Sequence, residues 1–305
     1  SEEVAGAVSS GSVARSWNVW LMAARPATLT AAAVPVLVGT AAASYDGHFK
    51  LLPFVGAMMA AVLIQVGTNL ANDFFDFERG ADTADRLGPP RVTQSGLASP
   101  QSVRSAMYLA FAAAAAVGVY LVAVGGWPIL AIGVLSIAAG IAYTGGPWPL
   151  GYHGLGDLFV FIFFGVVAVV GSYYLQAGEV GSIAWAAAVP VGLIVTAILV
   201  VNNLRDIESD RRVGKRTLAV RLGARLTRVQ YALLLLAPYL LVAGFAVGGP
   251  LPGWAGLPWL TLPIALTLVS VVLTGAEGRK LNAVLGGTAR LHFLFGALLA
   301  GSLLL

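Results

Sequence analysis

Asn69-Leu-Ala-Asn72-Asp73-Phe-Phe-Asp76-Phe-Glu78-Arg79-Gly80-Ala-Asp82 and Asn202-Asn203-Leu-Arg205-Asp206-Ile-Glu208-Ser-Asp210 are the two stretches that decide the fold. Each closes a long apolar run. Each carries an Asn followed four residues later by an Asp, Asn72 with Asp76 and Asn202 with Asp206, and Asp210 repeats the interval. Residues four apart on a helix lie on one face, one above the other. Each stretch therefore reads as the polar end of a helix that presents a ladder of oxygen ligands. An even number of apolar runs separates them, which returns the chain to the same side and lets the ladders meet.

The apolar runs are membrane-spanning by composition. Of 305 residues, 58% are hydrophobic and 10% charged, with a mean hydropathy of +0.84. A soluble domain carries about 25% charged residues, so this chain cannot cover a water-facing surface. Thirty-seven glycines suit a bundle whose helices approach closely in lipid. The absence of Cys excludes disulfides, thiolate catalysis and Cys-ligated metals. His48, His153 and His292 are too scattered for a zinc site. The net charge of +4 reads as an orientation signal in a bilayer rather than as nucleic-acid affinity, and no nucleic-acid partner is expected.

About twenty apolar residues cross a bilayer as a helix. Nine segments qualify, near 27–44, 52–75, 101–124, 127–144, 155–175, 183–204, 227–247, 257–274 and 288–305, some with an internal Pro (Pro35, Pro190, Pro238) that a bundle tolerates. With the N-terminus in the cytoplasm, 17 of the 18 Lys and Arg fall on the inside, and only Lys50 falls outside. That bias predicts an all-α, nine-helix integral-membrane bundle with a cytoplasmic N-terminus and an outside C-terminus. Ser1–Ser16 is polar and lacks an apolar core, so it is not expected to act as a signal peptide. Residues 1–20 are expected to be a disordered cytoplasmic tail, and 21–305 a single transmembrane domain. The long inside connections, 77–101 and 205–227, are the expected seat of function.

Acidic groups at a membrane are costly and mark function. Stacked carboxylates repel unless a cation lies between them, and Mg²⁺ commonly bridges carboxylates to a substrate phosphate. Asp73, Asp76, Asp206 and Asp210 are thus expected to hold Mg²⁺ against a diphosphate, with Asn72, Asn202 and Asn203 beside it. Capping or a solvated loop remains the plainer reading for Asp82, Asp85 or Glu208 taken singly. Arg86-Leu-Gly-Pro-Pro-Arg91-Val-Thr-Gln94-Ser95-Gly96 follows the first ladder, and Lys215-Arg216-Thr217 the second. Arg offers a planar fork to phosphate or carboxylate, so Arg91, Arg205 and Lys215 are candidate anion partners. The connection Tyr143–Asp157 contains no Lys or Arg. Tyr143 and Tyr152 are placed to face a developing carbocation, or simply to sit in the interfacial belt.

These motifs resemble the UbiA superfamily of intramembrane aromatic prenyltransferases over almost the whole chain. Ala24-Arg-Pro-Ala-Thr-Leu-Thr, the two Asp-rich stretches and Gly214-Lys-Arg-Thr-Leu-Ala-Val-Arg-Leu-Gly carry the resemblance. Gly88-Pro-Pro-Arg-Val-Thr-Gln94-Ser95-Gly96 is similar to the branch that prenylates 1,4-dihydroxy-2-naphthoate. Many members place a further Asp four residues after the position of Asp76. Here that residue is Gly80, with Asp82 two further on as the remaining candidate ligand. The resemblance implies two Mg²⁺ ions, a polyprenyl diphosphate donor, an aromatic acceptor, a tail lying towards the lipid bilayer, and a cytoplasmic-membrane enzyme of menaquinone biosynthesis. Binding roles fall to Arg91, Gln94, Ser95, Tyr152 and Arg205, and catalytic roles to Lys215 and Tyr143. The same fold with another acceptor (4-hydroxybenzoate, homogentisate, haem or a glyceryl phosphate) and a membrane transporter are the competing readings.

Overall fold

The computed structural model describes residues 17–82 and 87–305. Residues 17–24 (α1) are helical and overlap the expected tail, the rest of which lies outside the described residues, as do Asp85 and Arg86. Arg25 breaks the helix in the left-handed region at φ 52, ahead of Pro26, whose ring disfavours a right-handed helical residue before it. There follow α2 (Pro26–Tyr45), α3 (Leu51–Glu78), α4 (Pro100–Gly125) and α5 (Trp127–Ala142). A 3₁₀ turn at Leu150–His153 leads to α6 (Gly156–Ala177), whose middle, Phe161–Val167, is π-helical. Next come α7 (Ser182–Arg205), the short α8 (Ile207–Arg212), α9 (Leu218–Gly248), α10 (Leu257–Leu273) and α11 (Lys280–Leu303). The described residues contain no strand.

Seven of these helices, α2, α3, α4, α6, α7, α9 and α11, are long and apolar enough to cross a membrane. The other two expected segments, at α5 and α10, are shorter apolar helices. Two boundaries move. Helix α9 begins at Leu218 rather than near 227, and α11 at Lys280 rather than near 288. In both, basic residues interrupt the apolar run without interrupting the helix. The connection 205–227 is accordingly largely helical, with Thr217 capping Val220 N–H at 3.3 Å. At Gly223 a φ of 77 bends α9 between its amphipathic start and its apolar span.

The main core joins α2, α6, α7, α9, α10 and α11 around Val38, Tyr173, Ile194, Tyr231 and Phe295, all at most 3% exposed. The last helix lies against both α2 and α7 and closes the bundle. Helices α3 and α4 pack on each other through a second cluster around Leu70, Met107 and Phe111. With 28 residues α3 is about 42 Å long, more than the ~30 Å hydrocarbon core. Its polar last turns therefore reach past the apolar layer. At its other end the Gln176 side chain accepts from Lys50 N–H at 2.6 Å and donates to Lys50 C=O at 3.1 Å, fixing the α2–α3 turn on α6.

Candidate active site at the acidic end of the bundle

The ends of α3 and α7 come together at one polar cavity of about 40 Å³. It is lined by Asp76, Ala81, Asp82, Arg91, Asn202, Asp206, Ser209, Asp210 and Lys215. The α7 helix ends at Asp206, and the chain turns directly into α8, where Asp210 N–H donates to Asp206 C=O at 2.8 Å. This places both carboxylates on the cavity. Four carboxylates face two cationic side chains, so the lining has two negative charges in excess. Among the described residues no three acidic or His side chains converge at metal-ligand geometry. Asp76, Asp82 and Asp206 are held by protein cations instead.

Asp76 accepts from Arg91 Nη2 at 3.1 Å and from the Tyr152 hydroxyl at 2.7 Å. Arg91 Nε lies 3.4 Å from Asp82, so the guanidinium sits between the two first-motif carboxylates. Among the described residues its Nη1 is buried without a hydrogen-bond partner, a donor that suits an anion in the cavity. Asp206 is gripped bidentately by its neighbour Arg205, at 2.8 and 2.7 Å. Lys215 and Arg79 flank the Tyr152 ring at 5.2 and 5.5 Å, within cation–π range. Asp76 and Tyr152 thus sit among three cations.

Several expected site residues have other employment. Both oxygens of Asp73 accept backbone N–H groups, from Val92 and Thr93 at 3.1 Å each. Asp73 is 1% exposed and absent from the cavity wall. In this structure it anchors the Arg91 loop, because a short carboxylate one turn inside α3 meets that loop's turn of backbone. Ser95 Oγ donates to Arg91 C=O at 2.6 Å, and neither Ser95 nor Gln94 reaches the cavity. Arg205 spends its donors on Asp206, Asn202 (2.8 Å) and Asn282 (2.8 Å) rather than facing outwards. Asn72 accepts from Thr144 at 2.9 Å, and Asn203 is buried away from the cavity lining. A Cβ at Gly88 would lie 2.7 Å from Arg205 Nη2, which is why glycine stands where the loop crosses the guanidinium.

Tyr143 is half-buried beside the Phe159 ring, with centroids 5.1 Å apart. Burial, and then the negative fields of Asp157, Asp76 and Asp210, push its phenol well above the ordinary 10. Burial and the bonded Asp76 do the same to Tyr152. Both remain neutral O–H donors. Asn282, Thr144 and Arg79 were missed in the sequence. Arg79 donates to the carbonyls of Thr144 (3.2 Å) and Gly146, binding the α5–α6 connection to α3.

An apolar groove of about 490 Å³ runs from this end between α3, α4, α5 and α6. Ala57, Ala61, Ile64 and Thr68 line it from α3. Thr68, the last of these, lies about two turns before Asp76, so the walls of the groove and of the acidic cavity follow one another along α3. Phe159, Phe163 and Phe164 line its opposite wall.

The UbiA prenyltransferase family matches residues 32–300. The chain belongs to the UbiA prenyltransferase family. It is 39% identical to the 1,4-dihydroxy-2-naphthoate octaprenyltransferase of Mycobacterium tuberculosis, over 94% of this chain and 97% of that one. The Escherichia coli protein of the same name is 38% identical, over 94% and 93%. The human UbiA prenyltransferase domain-containing protein 1 is 33% identical, over 94% and 86%. Among solved structures, a UbiA homologue from Archaeoglobus fulgidus bound to DMAPP and Mg²⁺ superposes with a TM-score of 0.65 at 14% identity, covering 92% of this chain and 98% of that one. The apo UbiA homologue of Aeropyrum pernix K1 gives 0.69 at 17%, covering 88% and 96%. At those identities the structures establish that this UbiA family member shares their fold.

Proposed function

We propose that this protein transfers a polyprenyl group from a polyprenyl diphosphate to 1,4-dihydroxy-2-naphthoate, releasing diphosphate and CO₂ and giving demethylmenaquinol. The observation that carries the reading is the order along α3, where the wall of an apolar groove of about 490 Å³ is followed about two turns later by a cavity lined by four carboxylates. The relatives that the chain matches over nearly its whole length act on that naphthoate by name.

The donor set suits a hard divalent cation, since it is all oxygen and two charges in excess. Asp76, Asp82, Asp206 and Asp210 would hold Mg²⁺, with two ions the number that two motifs favour. Bound there, Mg²⁺ supplies positive charge to the leaving diphosphate. Arg91 and Lys215 hold phosphate oxygens. The prenyl C1–oxygen bond breaks, and the electron pair leaves with diphosphate. The groove keeps water from the allylic cation, and the neutral phenols of Tyr143 and Tyr152 stand nearby without attacking as phenolates. The ring carbon that carries the carboxylate forms the new C–C bond. Departing CO₂ leaves its bonding electrons to the ring, so no side chain takes a proton from that carbon. The Lys and Arg bias supports nine crossings in the cell membrane, with α5 and α10 included, the N-terminus inside and the acidic end facing the cytoplasm.

The test is incubation of the purified protein in detergent with 1,4-dihydroxy-2-naphthoate, a polyprenyl diphosphate and Mg²⁺, against an EDTA control. A metal-dependent, prenylated and decarboxylated quinol is expected. Product only with 4-hydroxybenzoate or another acceptor would overturn the naphthoate assignment and leave the chemistry.

A further inference from the structure

We infer that Asn282, in the first turn of α11, is a positioning residue for prenyl transfer. It lies far in sequence from both acidic motifs, yet its side chain is bonded to both of their neighbourhoods. Oδ1 accepts from Arg205 Nη1 at 2.8 Å, and Nδ2 donates to Leu87 C=O at 2.9 Å. Arg205 in turn grips Asp206 and Asn202. Leu87 opens the loop that carries Arg91 to Asp76 and Asp82. Asn282 thus couples the second carboxylate motif to the loop covering the first.

The chemistry demands an amide. Arg205 has only donors and needs an acceptor, while a carbonyl needs a donor. Asn presents one of each on a short, stiff side chain. Leu has the shape and neither function. Asp keeps the acceptor and loses the donor. At its far side the loop is held where Asp73 accepts from Val92 and Thr93 N–H. With both ends tied, the Arg91 guanidinium is fixed relative to Asp206, and outer partners of this kind typically contribute 10- to 100-fold to metal affinity or activity.

The inference rests on the prenyltransferase reading, and three chains separate the two: wild type, Asn282→Leu and Asn282→Asp. Glu277→Gln serves as control, since that residue only meets Arg228 at an exposed edge of the same end. Wild type without metal-dependent product would overturn the reading on which the inference stands. With product formed, Asn282→Leu is expected to raise the Mg²⁺ concentration for half-maximal rate and the donor KM, each by roughly 10-fold or more. Asn282→Asp, nearly isosteric and expected to fold, should raise the donor KM while leaving the Mg²⁺ requirement within about threefold of wild type, because the Arg205 arm survives. Hydrogen exchange of peptides covering 87–98, measured without substrate or metal, should accelerate in both variants and not in Glu277→Gln. Unchanged kinetics and unchanged loop exchange in Asn282→Asp would overturn the inference while the transferase reading stood.

Discussion

Tyr152 donates its hydroxyl to Asp76 across 2.7 Å, joining the α5–α6 connection to the acidic end of α3. Phenylalanine at 152 keeps the ring between Arg79 and Lys215 and deletes that one bond. A hydrogen bond to a charged group is worth about 1.5–3 kcal/mol, so kcat/KM should fall roughly 10- to 100-fold. Initial rates at saturating Mg²⁺ measure this. A wild-type rate would mean that Asp76 needs no orienting donor.

Asp76 and Asp73 are one turn apart and should separate kinetically. Asp76→Asn, and likewise Asp206→Asn, alters the cavity wall, and kcat should drop on the order of 100-fold or more. Asp73→Asn puts an amide against two backbone N–H groups, which costs about 1–3 kcal/mol. The expected result is a raised donor KM with kcat less affected, since the damage is to the loop. Equal loss of kcat in all three would return Asp73 to the cavity.

The raised phenols give a pH prediction. Tyr143 and Tyr152 are held neutral in the fold above the ordinary value of 10, so they ionise later folded than unfolded. Folded-state stability from these groups is complete below pH 10 and is lost as pH rises beyond it. Difference absorbance of wild type against Tyr152→Phe should show no phenolate from this residue near pH 10. A normal titration there would contradict its enclosure against Asp76.

Gly118 and Gly133 line the apolar groove, and a Cβ at either meets nothing within 4 Å. A side chain there projects into the tail's path rather than against protein. Gly133→Phe should leave turnover of a short prenyl diphosphate near wild type and raise the KM of a long one roughly 10-fold, a difference of about 1.4 kcal/mol. Paired assays with short and long donors check it. An equal effect on both would move the tail elsewhere.

The carboxylate ladders were legible because an interval of four is a local signal that survives any packing. So was the meeting of α3 and α7 at one end, which follows from counting apolar runs. Arg205 was not legible. An Arg beside an Asp looks the same whether it faces a ligand or folds back on its neighbour, and the choice is made by Asn282, 77 residues away. Asp73 gave no sign of serving the Arg91 loop rather than the cavity, since its place in the ladder fits both. The start of α9 was hidden because Arg221, Arg225 and Arg228 depress hydropathy on a helix that nevertheless continues. The π-helical turn in α6 has no periodic signature at all.

The last helix closes the bundle against α2, with Gly296 against Val34, and the same helix bears Asn282. Ribosomes make it after everything it touches. Until it emerges, the face of α2 carrying Val34 lacks the helix that covers it, and Arg205 lacks one of its partners. A translation product cut short before residue 280 therefore contains both acidic motifs and the whole tail groove, yet is an unfinished enzyme. Membrane quality control has a long window in which to meet it.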